Sequence, residues 1–236
     1  MTKKDQIFRR ELKYLLSRAQ ASLVQQRLQQ ILQRDQALLD DSTSYRVTSL
    51  YFDDYQLSSY FNKLDGHPKR AKFRLRAYDL NDDKINFEVK IKNDEVVRKE
   101  TLRISKADYL AIIKNGDLSS LAASPWSAML EARLMKPKII VDYWRTPLVW
   151  QSGQVRVTLD DELQVSTSDP DIFKEENQIF YPVLAPDQVI LEVKYNNYLP
   201  VAISQLLSEI PLHQIAVSKY TLAMQRARSL HTLIRN

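Results

Sequence analysis

Basic side chains take every second position in several short segments of this chain. In Lys72-Phe73-Arg74-Leu75-Arg76-Ala77-Tyr78, the residues Lys72, Arg74 and Arg76 share one parity, and Phe73, Leu75 and Ala77 share the other. Successive side chains of a strand point to opposite faces, so the cations would line one face. The pattern recurs in Phe87–Lys92, Val155–Asp160 and Val189–Lys194. Together the four segments present seven basic residues (Lys72, Arg74, Arg76, Lys90, Lys92, Arg156, Lys194) and three acidic ones (Glu88, Asp160, Glu192). Guanidinium groups contact phosphate in bidentate fashion, ammonium groups act as point charges, and carboxylates ligate hard cations. Such a face suits a polyanion that arrives with a divalent metal.

Elements that would hold these residues can be read from periodicity. Alternation predicts a strand over Ile7–Tyr14, and Ser17 is placed to cap a helix. Leu23, Val24, Leu28, Ile31 and Leu32 recur at helical spacing, which predicts a helix from Arg18 to Leu39. Strands are expected at Tyr45–Phe52, Lys72–Asp79, Lys84–Lys92, Val96–Ile104, Lys138–Arg145, Gln154–Asp160 and Gln188–Tyr195. The short loops at 80–83 and 93–95 make three of these antiparallel neighbours. A short helix is expected within Asp53–Lys63, before a turn at Asp65-Gly66-His67-Pro68. Ser105 and Gly116 bracket a helix, Trp126–Leu134 reads as another, and Pro200–Ile210 and Ser218–Ile234 close the chain as helices.

With 236 residues and a hydrophobic fraction of 44%, the chain can bury a real core. No linker, repeat or low-complexity segment breaks it, so one domain over residues 1–236 is expected. There are 34 Lys+Arg against 29 Asp+Glu, a net charge of +5. That excess permits phosphate, nucleic acid or an acidic membrane as partner and selects none of them. The absence of cysteine excludes disulfides, thiolate catalysis and Cys-ligated zinc. Only three glycines occur, with neither a Walker A nor a G-x-G-x-x-G pattern, so phosphates would be gripped by side chains. The polar N-terminus shows no signal peptide, and no run approaches the roughly 20 apolar residues of a membrane span. A cytoplasmic location is therefore expected.

Alternation alone fits an antiparallel sheet with its charged face in water. Two features favour the opposite arrangement. The amphipathic helices need an apolar surface to cover, and the charged positions are rich in Arg with interspersed Glu. The expected fold is therefore α+β, a closed antiparallel β-barrel tunnel of about eight strands with flanking helices, its lumen electropositive.

Arg9-Arg10-Glu11-Leu12-Lys13-Tyr14, Ser49-Leu50-Tyr51-Phe52-Asp53, Lys72–Tyr78, Phe87-Glu88-Val89-Lys90, Asp142-Tyr143-Trp144-Arg145, Arg156–Asp160, Leu191-Glu192-Val193-Lys194 and Ser218-Lys219-Tyr220 follow one another in that order. This set resembles the VTC-type polyphosphate polymerase domain of the triphosphate tunnel metalloenzymes. Each motif is weak alone; the ordered set spans the chain from Arg9 to Tyr220. The resemblance implies an antiparallel tunnel and an enzyme that transfers the ATP γ-phosphate to a growing polyphosphate chain with Mn²⁺ or Mg²⁺. It assigns the catalytic contacts to Lys13, Arg74, Arg76, Lys90, Arg145 and Lys219. Further substrate contacts fall to Arg9, Lys99, Tyr143, Arg156, Lys194 and Ser218. Glu192 would hold the metal, with Glu88 and Asp160 as additional candidates. Arg145 has the parity of Ile139 and Val141, so a bulge near Tyr143 is expected to turn it inward. Removing Arg74 or Arg145 from a cationic lumen should relieve repulsion, so the unfolding temperature should not drop much.

ATP and inorganic polyphosphate are the partners so implied. Export of product would need a separate membrane protein, which would bring the chain to the inner face of the membrane. Two rivals come from other classes: a tunnel triphosphatase that hydrolyses tripolyphosphate or nucleotides, and a non-catalytic polyphosphate-binding module. Nucleic acid is not expected as a partner, because the aromatic residues read as core rather than as stacking platforms. The three histidines have no metal-ligand spacing and read as structural or exposed.

Overall fold

The alternating segments all become strands in the computed structural model, which describes residues 9–36, 38, 42–94, 96–121, 126–150, 154–216 and 218–235. In chain order the elements are β1 (Arg9–Ser17), α1 (Arg18–Leu28), β2 (Gln33–Arg34), β3 (Tyr45–Asp53), α2 (Ser58–Leu64), β4 (Lys69–Tyr78), β5 (Ile85–Asn93), β6 (Val96–Ile104), α3 (Lys106–Asn115) and α4 (Ser127–Ala132). There follow β7 (Lys136–Trp150), β8 (Val155–Ser166), β9 (Tyr181–Pro182), β10 (Gln188–Asn196), α5 (Val201–Ser208), β11 (His213–Gln214) and α6 (Lys219–Arg235).

The strands hydrogen-bond in the order β11-β1-β10-β8-β7-β3-β4-β5-β6, with β2 added on β7 and β9 on β8. Among the described residues β6 and β11 end this path without pairing to each other. The expected closed barrel of about eight strands is therefore corrected to an open antiparallel sheet of eleven. The physical reason is plain. Alternation requires one apolar face covered by helices, and an open sheet meets that requirement as well as a closed one. The β6 edge is shielded from further pairing by charge: Arg98, Lys99, Glu100 and Arg103 stand along it.

The chain divides into two compact units. The first comprises Met1–Tyr45, Tyr143–Glu162 and Leu184–Val217; the second comprises Arg46–Asp142, Leu163–Val183 and Ser218–Asn236. In the first, the odd-numbered residues Val155, Val157 and Leu159 of β8 and Val189, Leu191 and Val193 of β10 turn one face into an apolar core. Ala21, Val24 and Leu28 of α1 and Ile203 and Leu207 of α5 cover it. Each buried Val, Leu or Ile among these contributes roughly 1.5–3 kcal/mol. In the second unit, Leu50, Phe52, Phe73, Leu75, Phe87 and Val89 form the equivalent face beneath Tyr109 and Ile112 of α3.

Local signals set the starts of α1 and α3. Ser17 accepts from the Gln20 amide and Gln20 answers on the Ser17 amide, a capping box. Ser105 and Asp108 repeat it at α3, and Gly116 ends that helix at φ 68°, where a Cβ would be strained. Helix α1 stops at Leu28, well short of Leu39. Leu32 still reaches the core, but Gln33 and Arg34 pair instead with Val149 and Leu148 of β7. Strand pairing thus overrides a helical pattern. Strand β7 runs unbroken through Tyr143. Ile140 lies in the apolar cluster of its unit while Ile139 and Val141, also buried, lie outside it. The regular parity of β7 already sets Arg145 apart from the apolar side, and the expected bulge is not needed.

Candidate functional site

In the second unit the charged face is built by register. Arg74 stands opposite Tyr51 on one side and Glu88 on the other, and Arg76 stands opposite Ser49 and Asn86. Glu88 is the centre of this face. Its Oε2 accepts from Arg74 Nε at 2.7 Å and lies 3.8 Å from the Arg76 guanidinium; its Oε1 accepts from Lys99 Nζ at 2.6 Å. Burial pushes the Glu88 carboxyl up, but Arg74, Arg76 and Lys99 outweigh that effect and hold it at about 2. Arg74 also donates to the Tyr51 hydroxyl at 2.7 Å, and Arg76 Nε to Ser49 Oγ at 2.9 Å. Burial would raise the Tyr51 phenol; Arg74 and Arg76, with Lys219 adding to them, bring it below its usual value instead.

The next cross-strand row is Lys72, Lys90 and Lys99, three ammonium groups on three adjacent strands. Like charges opposed in this way repel. Lys72 relieves part of it by donating to Ser218 Oγ at 2.7 Å. That same hydroxyl accepts from the Thr221 amide and so caps α6. The start of α6 is pinned from below. Tyr220 stacks on Tyr51 at 5.0 Å and donates to Asp53 at 2.6 Å; Asp53 also accepts from the Ser59 and Tyr60 amides. Burial, reinforced by the Asp53 carboxylate, pushes the Tyr220 phenol well up. Arg74, Arg76, Glu88, Lys90, Lys99, Ser218 and Lys219 therefore lie together in this unit.

The first unit brings together the others. Lys13, Glu192 and Thr158 form one row across β1, β10 and β8; Glu11, Lys194 and Arg156 form the next. Glu192 lies 3.6 Å from Lys13 and is ion-paired with Lys194. Burial holds the Lys194 ammonium below its ordinary value despite Glu192 and Glu11. Arg145 grips Asp160 with two bonds of 2.6 and 2.8 Å, and its guanidinium lies 5.3 Å from the Tyr143 ring. Burial would weaken that charge, but Asp160 wins and holds Arg145 firmly protonated. Arg156 bonds Asp35 at 2.8 Å and the Tyr45 hydroxyl at 3.0 Å. Arg9 opens β1 opposite Asn196, and its side chain lies outside the described residues.

Among the described residues, no three His, Asp or Glu side chains gather as a metal site. Glu88 and Asp160, the additional metal candidates, each carry close cationic partners. Glu192 has partners of the same kind, Lys194 on Oε1 and Lys13 3.6 Å from Oε2, so a divalent ion arriving with phosphate would have to displace an ammonium there and would draw most of its oxygens from phosphate. Sequence reasoning missed Tyr51, Ser49 and Tyr45. Its aromatic character places Tyr51 in the expected core, yet it shares parity with Ser49 and Asp53 against Leu50 and Phe52, a signal present in the alternation itself. It also missed the Thr158 hydroxyl, which is buried and meets no protein partner.

The VTC domain family model matches residues 8–228. The chain belongs to the VTC domain family. No curated protein matches it. Among solved structures, this VTC domain is similar to a candidate adenylate cyclase of Bacillus halodurans, at 12% identity and a TM-score of 0.51 over 90% of this chain and 93% of that one. It is also similar to the PH1819 protein of Pyrococcus horikoshii, at 11% identity and a TM-score of 0.47 over 93% and 99%. At such identities the first likeness bears on the fold alone. As a VTC domain the chain falls among triphosphate- and polyphosphate-binding domains, and its two charged faces have the chemistry for that ligand class.

Proposed function

We propose that this VTC domain is an ATP-dependent polyphosphate polymerase. The observation that carries the reading is the face on β4, β5 and β6, where Arg74, Arg76 and Lys99 converge on one point already held by a carboxylate. Groups that hold one anion in fixed geometry are preorganised for another. In this reading Arg74, Arg76, Lys90 and Lys219 hold the triphosphate, with Lys99 and Ser218 beside them. Lys13, Arg145, Arg156 and Lys194 contact phosphate oxygens, with Tyr143 and Arg9 in support. Glu192 would hold Mn²⁺ or Mg²⁺ once its lysine partners turn to phosphate, and the ion would supply positive charge to the phosphate oxygens.

Phosphoryl transfer depends on positioning and charge neutralisation more than on covalent help. A terminal oxygen of the growing chain attacks the γ-phosphorus, the bond to the ADP oxygen breaks, and ADP leaves. The attacking oxygen is already ionised, so no general base is required, and the described faces offer cations rather than a poised base. Among the described residues no helix is long and apolar enough to cross a membrane. A cytoplasmic site of action, with a separate membrane protein for any export, goes with this reading.

Purified protein given ATP and Mn²⁺ should produce ADP and long phosphate chains. ADP with free phosphate only would make the domain a triphosphatase, and tight polyphosphate binding without ADP release would make it a binding module. Arg74→Ala should abolish chain synthesis.

A further inference from the structure

Glu88 sits where it obstructs the chemistry just proposed. A carboxylate among cations that are meant for phosphate lowers their attraction for any incoming anion, and burial in a low-dielectric site makes the opposition stronger. Glu88 is 3% exposed and stands directly opposite Arg74 on the neighbouring strand. One of its oxygens takes two Arg74 nitrogens and faces Arg76; the other takes Lys99. Arg74 keeps a second hold on Tyr51, and Arg76 on Ser49, so neither guanidinium depends on Glu88 alone for its place. Lys99, on the exposed edge strand β6, has Glu88 as its ion-pair partner.

We propose that Glu88 is a positioning residue that serves as an internal anion: it holds Arg74, Arg76 and Lys99 in place and competes with phosphate for them. The inference rests on the polyphosphate reading and deepens it. An incoming phosphate takes over the inner N–H groups of Arg74 and the Lys99 ammonium, and Glu88 reclaims them when the phosphate moves on. Binding is thereby kept weak enough for a chain to advance or leave. A site of three unopposed cations would hold its product.

The test reads binding without turnover, so it is separable from the polymerase assay. Tripolyphosphate binding is measured by calorimetry in EDTA for wild type, Glu88→Gln and Glu88→Asp. Glu88→Gln should bind about tenfold tighter or more, since a charge opposing the ligand at contact distance is removed. Glu88→Asp, which keeps the charge, should stay near wild type. In turnover Glu88→Gln should lower KM and kcat together, because product leaves slowly. Weaker or unchanged metal-free binding by a folded Glu88→Gln would overturn the proposal, as would an effect seen only with Mn²⁺, which would make Glu88 a metal ligand. A structure of the wild type with tripolyphosphate guards against a variant that fails to fold. The Arg74–Glu88 contact should lengthen beyond hydrogen-bond range there, and its persistence at 2.7 Å beside bound ligand would also sink the idea. Failure of the wild type to bind tripolyphosphate overturns it outright. Binding without polymer would leave Glu88's role standing and remove only the polymerase.

Discussion

Arg145 and Asp160 hold each other in a dry environment, 7% and 0% exposed. That overturns the expectation that a lumen cation can be removed at little cost to stability. Arg145→Ala leaves a buried carboxylate without its partner, a loss of about 3–5 kcal/mol. The thermal midpoint should fall by on the order of 10 °C, followed by circular dichroism. Adding Asp160→Leu should recover most of the drop; a single variant as stable as wild type would show that the pair carries little. Arg74 differs, because Glu88 keeps Lys99 and Arg76 when Arg74 is gone, so its loss should cost only about 1 kcal/mol. Glu88 itself should be visible in the pH dependence of stability. Its folded pKa is depressed to about 2 from an ordinary 4.5, so its contribution is fully present above pH 4.5 and fades as pH falls toward 2. The shift amounts to on the order of 3 kcal/mol. Urea midpoints compared across that window should fall more steeply in wild type than in Glu88→Gln; parallel curves would contradict the assignment.

The elements whose ends carry local chemistry were the legible ones. Ser105, Asp108 and Gly116 fix both ends of α3, and the 93–95 connection fixes the β5–β6 hairpin, because cap and turn residues act on backbone a few positions away. The two-residue strands β2, β9 and β11 were not legible, since each exists only through a distant partner: Gln33 with Val149, Val165 with Tyr181, Leu15 with His213. The end of α1 was lost for the same reason. Leu23, part of the apolar repeat that predicts this helix, is 40% exposed, while Ala21 takes the buried place, because the helix turns its narrower apolar side to β1, β10 and α5. Helix α6 offers a test at this scale. Its first turn brings Ser218 and Lys219 to the charged face of its unit, and the Tyr220 hydroxyl fixes that turn on Asp53. Tyr220→Phe keeps the ring stack and removes the bond. It should cost about 1–3 kcal/mol in denaturant unfolding and lower ATP turnover while leaving the Glu88 contacts as they are. Turnover equal to wild type would show that the anchor does not position Lys219.

For the whole molecule, the sheet's open path was not in the sequence: alternation names the face of each strand, not which strands meet, and closure is a property of the meeting. The pairings differ greatly in span. Strands β4, β5 and β6 join through short hairpins, whereas β1 pairs with β10 across most of the chain, Lys13 with Glu192. Long loops close slowly. Pulsed hydrogen exchange during refolding should protect amides of β4 and β5 before those of β1 and β10, and simultaneous protection would contradict that order. A last consequence follows from the Lys72–Lys90–Lys99 row. Lys99 is paired with Glu88 and Lys72 bonds Ser218, yet three like charges in one row still raise the local concentration of anions, and a cell extract is rich in phosphate esters, nucleotides and polymer. Because Glu88 keeps the hold weak, such anions should exchange rather than stay bound, and affinities measured while that cargo is still in solution should be blunted by competition. Only after that cargo is washed away at high ionic strength would a titration report the site itself.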